Sequence, residues 1–143
     1  FTEGFAEYVA LTPYRSGKFR VSVVLDYLRE YVTAYGKDGN GGRAIGDEIH
    51  MPDIKDWMLQ PYSAFTGQNS RVNYGMGALV TYYFFHMDGE EEAERAKEML
   101  KAMKAGKTGE EALEVLLDGR TWDELEEEIT TAWRARGVRI HWD

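Results

Sequence analysis

Two glutamates near the start of the chain have a spacing that suits cation binding. Glu3 and Glu7 are four residues apart in the segment FTEGFAEYVA, and on an α-helix this spacing puts both carboxylates on one face. Two like charges at this spacing repel by roughly 0.2–0.5 kcal/mol unless a cation lies between them. The pair therefore suggests a bound cation or a cationic partner. The alternative is a solvated helix face in an acidic protein.

Cysteine and histidine, the other common metal-binding residues, have no spacing in this sequence that indicates a second metal site. The chain has no cysteine, which excludes a thiolate zinc site and a cysteine nucleophile. Its three histidines, His50, His86 and His141, are far apart, and no two have the i, i+4 spacing of a helical metal-binding pair. We therefore do not expect a site built from these histidines. His86 lies in an apolar segment and is expected to be a core histidine.

Residues 2–8, TEGFAEY, closely resemble the downstream zinc-ligand segment of the gluzincin metallopeptidases, W-x-x-E-G-x-A-x-Y. This segment occurs in aminopeptidase-N-like enzymes and in several uncharacterised bacterial relatives. The resemblance implies that Glu3 is the third protein ligand of a zinc ion, after the two histidines of an HExxH helix. It also implies that Glu7 contacts one of those histidines without binding the metal itself.

A second segment carries the same resemblance. Residues 74–77, YGMG, are similar to the Y-x-x-G segment of aminopeptidase-N-like enzymes, whose tyrosine donates a hydrogen bond to the oxyanion of the reaction. The resemblance therefore implies a catalytic role for Tyr74. The alternative is a core tyrosine whose hydroxyl is satisfied locally.

The chain departs from the gluzincin pattern because it contains no HExxH motif. We therefore expect it to be the C-terminal part of a larger zinc peptidase domain, with zinc bound in the intact parent and no activity in this chain alone. The expected partners are the HExxH-bearing segment and a peptide or protein substrate. The alternative is a non-catalytic helical protein-binding module derived from the same fold.

Composition limits the other possibilities. The chain has 143 residues, 43% of them hydrophobic, and a formal charge of −8, so we expect a single helical domain spanning residues 1–143. The acidic balance disfavours nucleic-acid binding, and the longest apolar run is too short to cross a membrane. The sequence starts at Phe1 without an initiator Met, which suggests an excised piece. Apolar surface exposed where the missing segment docks would favour a homo-oligomer.

The fold class expected from apolar spacing is mainly α. The N-terminal part predicts a helix over residues 3–10, a loop over 12–18, a helix over 21–35 that ends at Gly36 and a glycine-rich loop over 36–42. The β-branched cluster of Val21, Val23 and Val24 leaves a strand as the alternative for the start of the second helix. A short helix is expected to begin at Pro52 and to end before Pro61, followed by a polar loop over 63–71. A central helix over 72–87 is apolar on nearly every side, so its two glycines, Gly75 and Gly77, imply close approach by a neighbour or a ligand.

The last third of the sequence predicts an antiparallel helical bundle. One helix begins near Ala93 and ends at Gly106. Its expected buried face consists of Ala93, Ala96, Met99, Leu100 and Met103. Capping boxes, Thr108 with Glu111 and Thr121 with Glu124, predict the starts of two more helices. Residues 138–142 alternate between apolar and polar side chains, which predicts an extended tail packed on the domain.

Overall fold

The computed structural model describes residues 2–33 and 43–143, and over this part of the chain the protein is mainly α. It is 62% helical, with eight α-helices and few strands, so the predicted fold class is confirmed. The helices are α1 (Thr2–Leu11), α2 (Val24–Thr33), α3 (Ile54–Leu59), α4 (Tyr62–Phe65), α5 (Ser70–His86), α6 (Glu94–Lys104), α7 (Gly109–Leu117) and α8 (Trp122–Arg134). The strands are β1 (Tyr14–Arg15), β2 (Lys18–Phe19), β3 (Glu48–Met51) and β4 (Arg139–Trp142).

The chain divides into two compact units. Unit 1 comprises Phe1–Ile49 and Pro61–Tyr82, and unit 2 comprises His50–Gln60 and Tyr83–Asp143. Within the part of the chain that the structure describes, no helix combines the length and apolarity that crossing a membrane requires.

Unit 1 is built from α1, a small hairpin, α2, α4 and most of α5. The core-facing side chains of α2 follow the predicted helical spacing, and Val24, Leu28 and Val32 are buried. A 3₁₀ turn over Val21–Val23 precedes α2, so the β-branched residues there do not form a strand. The predicted end of this helix at Gly36, and the glycine-rich loop that follows it, lie outside the described residues.

Two segments of unit 1 that we predicted as loops contain regular structure. Residues 12–18 include β1, which pairs antiparallel with β2. The turn between these strands uses Ser16 and Gly17, both with positive φ, which lets the chain reverse within two residues. Residues 63–71 contain most of α4 and the beginning of α5. These elements are short and exposed. They therefore lack the apolar periodicity by which a helix or a strand is recognised in a sequence.

Unit 2 contains the three C-terminal helices and the extended tail that the sequence predicts. Helix α6 packs against α7, and α8 packs against β4. Leu125, Ile129 and Trp133 of α8 are fully buried. The predicted buried face of α6 is wrong in part, because Leu100 and Met103 are 48% and 43% exposed. In the same helix, Ala96 and Met99 are buried as expected.

Two helices are preceded by the same Thr-x-x-Glu pattern, but only one of them has a capping box. At α8 the capping box is present, with the Thr121 amide donating to Glu124 at 2.7 Å and the Glu124 amide donating to the Thr121 hydroxyl at 3.2 Å. The capping box predicted for Thr108 and Glu111 is wrong, since the Thr108 side chain makes no capping hydrogen bond. Gly109 has a φ of +53° at the first position of α7, so the backbone there departs from the geometry that a capping box needs.

The start of α3 also differs from the prediction. Asp53, rather than the backbone around Pro52, caps this helix, because its carboxylate accepts from the amides of Lys55 at 2.8 Å and Asp56 at 3.2 Å. The helix therefore begins at Ile54 and ends at Leu59. Pro52 lies one residue before the cap and is not the first helical residue, contrary to the prediction.

The two threonine caps give a matched test. We expect Thr121→Ala to lower the free energy of unfolding by about 1 kcal/mol, because it removes the acceptor of the capping box. Thr108→Ala is the control and should change stability by less than about 0.5 kcal/mol, since no capping bond is lost. Urea unfolding followed by circular dichroism measures both. Equal losses in the two variants would contradict the assignment of the caps.

Candidate functional site

Helices α1 and α5 approach each other backbone to backbone at two glycines. A Cβ atom placed on Gly4 would lie 2.4 Å from the carbonyl oxygen of Gly77, and one placed on Gly77 would lie 3.1 Å from the Cα of Gly4. No side chain fits at the first of these positions without moving the helices apart. The close approach predicted for Gly77 is therefore made by a neighbouring helix. At Gly75 the nearest group is the side chain of Ile45.

This crossing brings Glu3 next to Tyr74, although they are far apart in the sequence. Burial raises the pKa of Tyr74, and the nearby charge of Glu3 raises it further. The neighbouring Tyr62 acts in the same direction. The phenol is therefore protonated across the physiological pH range, and its O–H is available as a hydrogen-bond donor.

The ring of Tyr74 is held from its other side by α4. The Phe65 ring packs edge-on against it, with 5.0 Å between ring centroids. Asn73, the residue before Tyr74, donates from its side-chain amide to the Phe65 carbonyl at 2.9 Å. These contacts restrict the position of the phenol, which is what a hydrogen-bond donor acting on a reacting group requires.

The cation that the Glu3 and Glu7 spacing suggests is Arg43. Its Nη2 donates to Oε1 of Glu7 at 2.7 Å, and its Nε donates to the hydroxyl of Tyr31. The guanidinium carbon lies 4.7 Å from the centre of the Tyr74 ring, a cation–π contact. We call Glu3, Glu7, Tyr31, Arg43 and Tyr74 the Arg43 cluster.

Arg43 reaches this position through its backbone. Its amide donates to the Tyr31 carbonyl at 2.7 Å, and the Ile45 amide donates to the Val32 carbonyl at 2.9 Å. The segment after the glycine-rich region is thus tied to the end of α2. Sequence reasoning did not identify Arg43, because an isolated arginine after a run of glycines carries no spacing signal that relates it to α1.

The Arg43 cluster brings together all three residues to which the gluzincin resemblance assigns roles. Its two carboxylates and one guanidinium leave a net charge of −1, which suits a cationic ligand. For zinc the donor set is partial: Glu3 is a suitable carboxylate ligand, but the sequence of unit 1 contains no histidine. A complete gluzincin zinc site here therefore needs imidazoles from outside this unit.

A second polar cluster, which sequence reasoning missed, lies in unit 2. The carboxylate of Asp88, just after α5, accepts from Arg95 at 2.8 Å and from Arg120 at 2.9 Å. Arg120 also pairs with Glu128 of α8. Asp88 and Arg120 have only 2% and 10% of their side-chain surface exposed. The only sequence signal was an acidic residue at a helix end, which is common and unspecific.

We call Asp88, Arg95, Arg120 and Glu128, together with Tyr83, the Asp88 cluster. It borders a cavity. The Tyr83 hydroxyl donates to Glu128 at 3.0 Å and to Asp88 at 3.3 Å, and burial followed by the charge of Asp88 raises the pKa of Tyr83 strongly. The adjacent cavity has a volume of about 560 Å³ and is lined in part by Glu124, Glu127 and Thr131. Because the buried charges are paired with one another, this network is best explained as one that holds four segments of unit 2 together.

All three histidines belong to unit 2. His86 is half-buried at the end of α5, and burial lowers the pKa of its imidazole. It is therefore less completely enclosed than the core histidine that the sequence predicted. His50 and His141, which are remote in sequence, have their rings stacked with centroids 4.7 Å apart.

No protein-family model matches this chain, and no curated protein or solved structure does either. The likeness to gluzincins thus remains a resemblance carried by residues 2–8 and 74–77. What the structure adds is the proximity of the residues in those two segments.

The glycine crossing can be tested by adding one methyl group. Gly4→Ala should destabilise the protein by about 2 kcal/mol, because the new Cβ overlaps the backbone of Gly77 and forces the helices apart. Thermal unfolding followed by circular dichroism gives the change.

Gly75→Ala is the matched control for this substitution. It also lies in a helix, but its Cβ would meet the Ile45 side chain, whose Cδ1 lies 2.9 Å away and is free to rotate. Its gain in helix propensity of roughly 0.5–1 kcal/mol should offset that small adjustment. Similar stabilities for Gly4→Ala and the wild type would rule out the backbone contact.

We expect buried ion pairs in unit 2 to contribute more to the free energy of unfolding than exposed ones. Arg120→Met should lower the free energy of unfolding by about 3 kcal/mol, because it leaves the buried carboxylate of Asp88 with one cation fewer. Lys101→Met removes an ion pair of similar length, 2.6 Å to Glu98, whose partners are 72% and 53% exposed. Its cost should be under about 0.5 kcal/mol. Urea unfolding distinguishes the two, and equal costs would contradict a structural role for the Asp88 cluster.

Proposed function

We propose that this chain is the C-terminal part of a zinc-dependent peptidase that hydrolyses peptide bonds. One observation carries the proposal: Glu3, Glu7 and Tyr74, the residues with assigned roles in the gluzincin resemblance, belong to one cluster in unit 1. Two of them come from α1 and one from α5, so local sequence does not explain why they meet. The HExxH-bearing segment is a separate part of the parent protein, and this chain is inactive without it.

Glu3 is the proposed zinc ligand of this chain. It has the carboxylate that zinc accepts alongside imidazoles, and it carries its charge in a cluster where Arg43 already pairs with Glu7. The chemistry that zinc supplies when bound is activation of a water molecule as the nucleophile. In this chain the charge of Glu3 adds to burial in raising the pKa of Tyr74.

Tyr74 is the proposed catalytic residue. In the peptidase its hydroxyl donates to the carbonyl oxygen of the scissile bond, where negative charge develops as the bond is attacked. Its raised pKa keeps the proton on the phenol, so the group acts as a donor. The Phe65 ring and the Arg43 guanidinium hold the phenol ring in position.

Glu7 is the proposed positioning residue for one of the imported histidines. Its Oε1 accepts from Arg43, and we assign the acceptor role toward a histidine N–H to its other oxygen. An ion pair that fixes one carboxylate oxygen also orients the second, which is how outer residues at metal sites determine the orientation of an imidazole.

The expected partner surface is the apolar part of unit 1 around the β1–β2 hairpin. Tyr14, Phe19, Val21, Val23 and Tyr27 are exposed there. We propose that the HExxH-bearing segment covers this surface, and that without it two copies of the chain associate through the same residues. Burial of contiguous apolar side chains supplies the driving force in either case.

A second candidate function is a non-catalytic helical protein-binding module. The observation that favours it is the Glu7–Arg43 ion pair at 2.7 Å. Because a guanidinium already relieves the repulsion between the two glutamates, α1 is electrostatically satisfied with no metal present.

The proposal is tested in the longer protein encoded by the reading frame that contains this sequence. We expect HExxH upstream of Phe1 and about one zinc ion per chain by mass spectrometry of the metal content. Glu3→Gln should reduce the bound zinc, because a neutral amide is a weaker ligand. Tyr74→Phe should keep the zinc but reduce kcat on peptide substrates roughly 100-fold.

Glu98→Gln, on the exposed face of α6, is the matched control and should change neither zinc content nor kcat. If no HExxH precedes this sequence, or if zinc content does not respond to Glu3→Gln, the peptidase proposal fails. The binding module is then the better account of the Arg43 cluster.

A further inference from the structure

The two-stranded ribbon of β3 and β4 carries a pair of histidines that no spacing in the sequence relates to each other. The imidazole rings of His50 and His141 are nearly parallel, with an angle of 13° between their planes and 4.7 Å between centroids. A ring nitrogen of one lies within 4.8 Å of a ring nitrogen of the other. Both side chains are exposed, so a dissolved ion can reach them.

Strand pairing explains why the two rings meet. β3 and β4 are neighbours in one sheet, and successive side chains of a strand point to opposite faces. Met51 and Ile140, each next to one of the histidines, are buried, so His50 and His141 lie on the opposite, exposed face. The Asp143 amide donates to the Met51 carbonyl at 2.9 Å, which fixes the end of the ribbon beside the pair.

Two imidazoles are a ligand pair suited to late first-row divalent metal ions such as zinc, nickel and copper. Arg139 also lies on the exposed face of β4, two residues before His141.

We propose that His50 and His141 together bind a divalent transition-metal ion on the exposed face of this ribbon. Two nitrogen ligands of a tetrahedral zinc ion lie about 3.4 Å apart, given Zn–N bonds of about 2.0–2.1 Å. The present separation closes to that value by rotation of two exposed side chains, with the paired backbone unchanged. This site uses no residue of the Arg43 cluster, so it stands independently of the proposed peptidase function.

The test is titration of this chain with zinc chloride, followed by calorimetry and by the NMR signals of the histidine rings. We expect one zinc ion per chain, with the ring signals of His50 and His141 shifting together. His50→Gln and His141→Gln should each weaken binding at least tenfold. Circular dichroism of each variant checks that the fold is retained.

His86→Gln is the matched control, because it removes the third histidine, which lies at the end of α5 away from the ribbon, and should leave zinc affinity unchanged. Glu3→Gln should likewise have no effect in this assay, which separates this site from the proposed peptidase site. Unchanged affinity in either ribbon histidine variant would overturn the proposal. An effect of His86→Gln as large as that of His141→Gln would also overturn it, because binding would then not be specific to the ribbon.

Discussion

The contact between the backbones of Gly4 and Gly77 is the constraint on which the rest of unit 1 depends. Helices normally pack with side chains between them, at axis separations of about 8–10 Å. Two glycines remove that layer here, so α1 and α5 approach each other backbone to backbone. Glu3 precedes one glycine and Tyr74 lies one helical turn before the other. The glycines thus determine which polar groups meet, although they take no part in any chemistry themselves.

Charge then determines what this arrangement can do. The two glutamates of α1 share a face and would repel each other, and Arg43 relieves that repulsion by pairing with Glu7. Burial raises the pKa of Tyr74, and the charge of Glu3 raises it further. A carboxylate beside a positioned phenol is the combination that a hydrolytic metal site uses, as a ligand and as a donor to the developing charge. The ion pair between Arg43 and Glu7 also stabilises this arrangement without metal.

The sequence predicted those features of the fold and the site that depend on neighbouring residues, and it missed those that depend on contacts between remote residues. Apolar spacing predicted the helices of unit 2 closely, and the glycines of α5 predicted a close approach that Gly4 makes. Thr108 is a case in which a local signal fails. The residue types predicted a capping box there, but the positive φ of Gly109 prevents the capping geometry. Arg43 and the His50–His141 pair were missed for a different reason. Their partners are set by tertiary contacts across 36 and 91 residues, and no periodicity in the sequence encodes those contacts.

The central claim is that Glu3 and Tyr74 are adjacent, and its most direct test is the pKa of Tyr74. Carbon-13 labelling of the tyrosine rings, with the Tyr74 signal assigned from Tyr74→Phe, allows the phenol to be titrated by NMR in the wild type and in Glu3→Gln. The account predicts a wild-type pKa above the ordinary value of 10.0 and a lower pKa in Glu3→Gln, because the variant removes a negative charge that favours the protonated phenol. The same pKa in both proteins would show that the two side chains do not interact, and the proposed site would lose its basis.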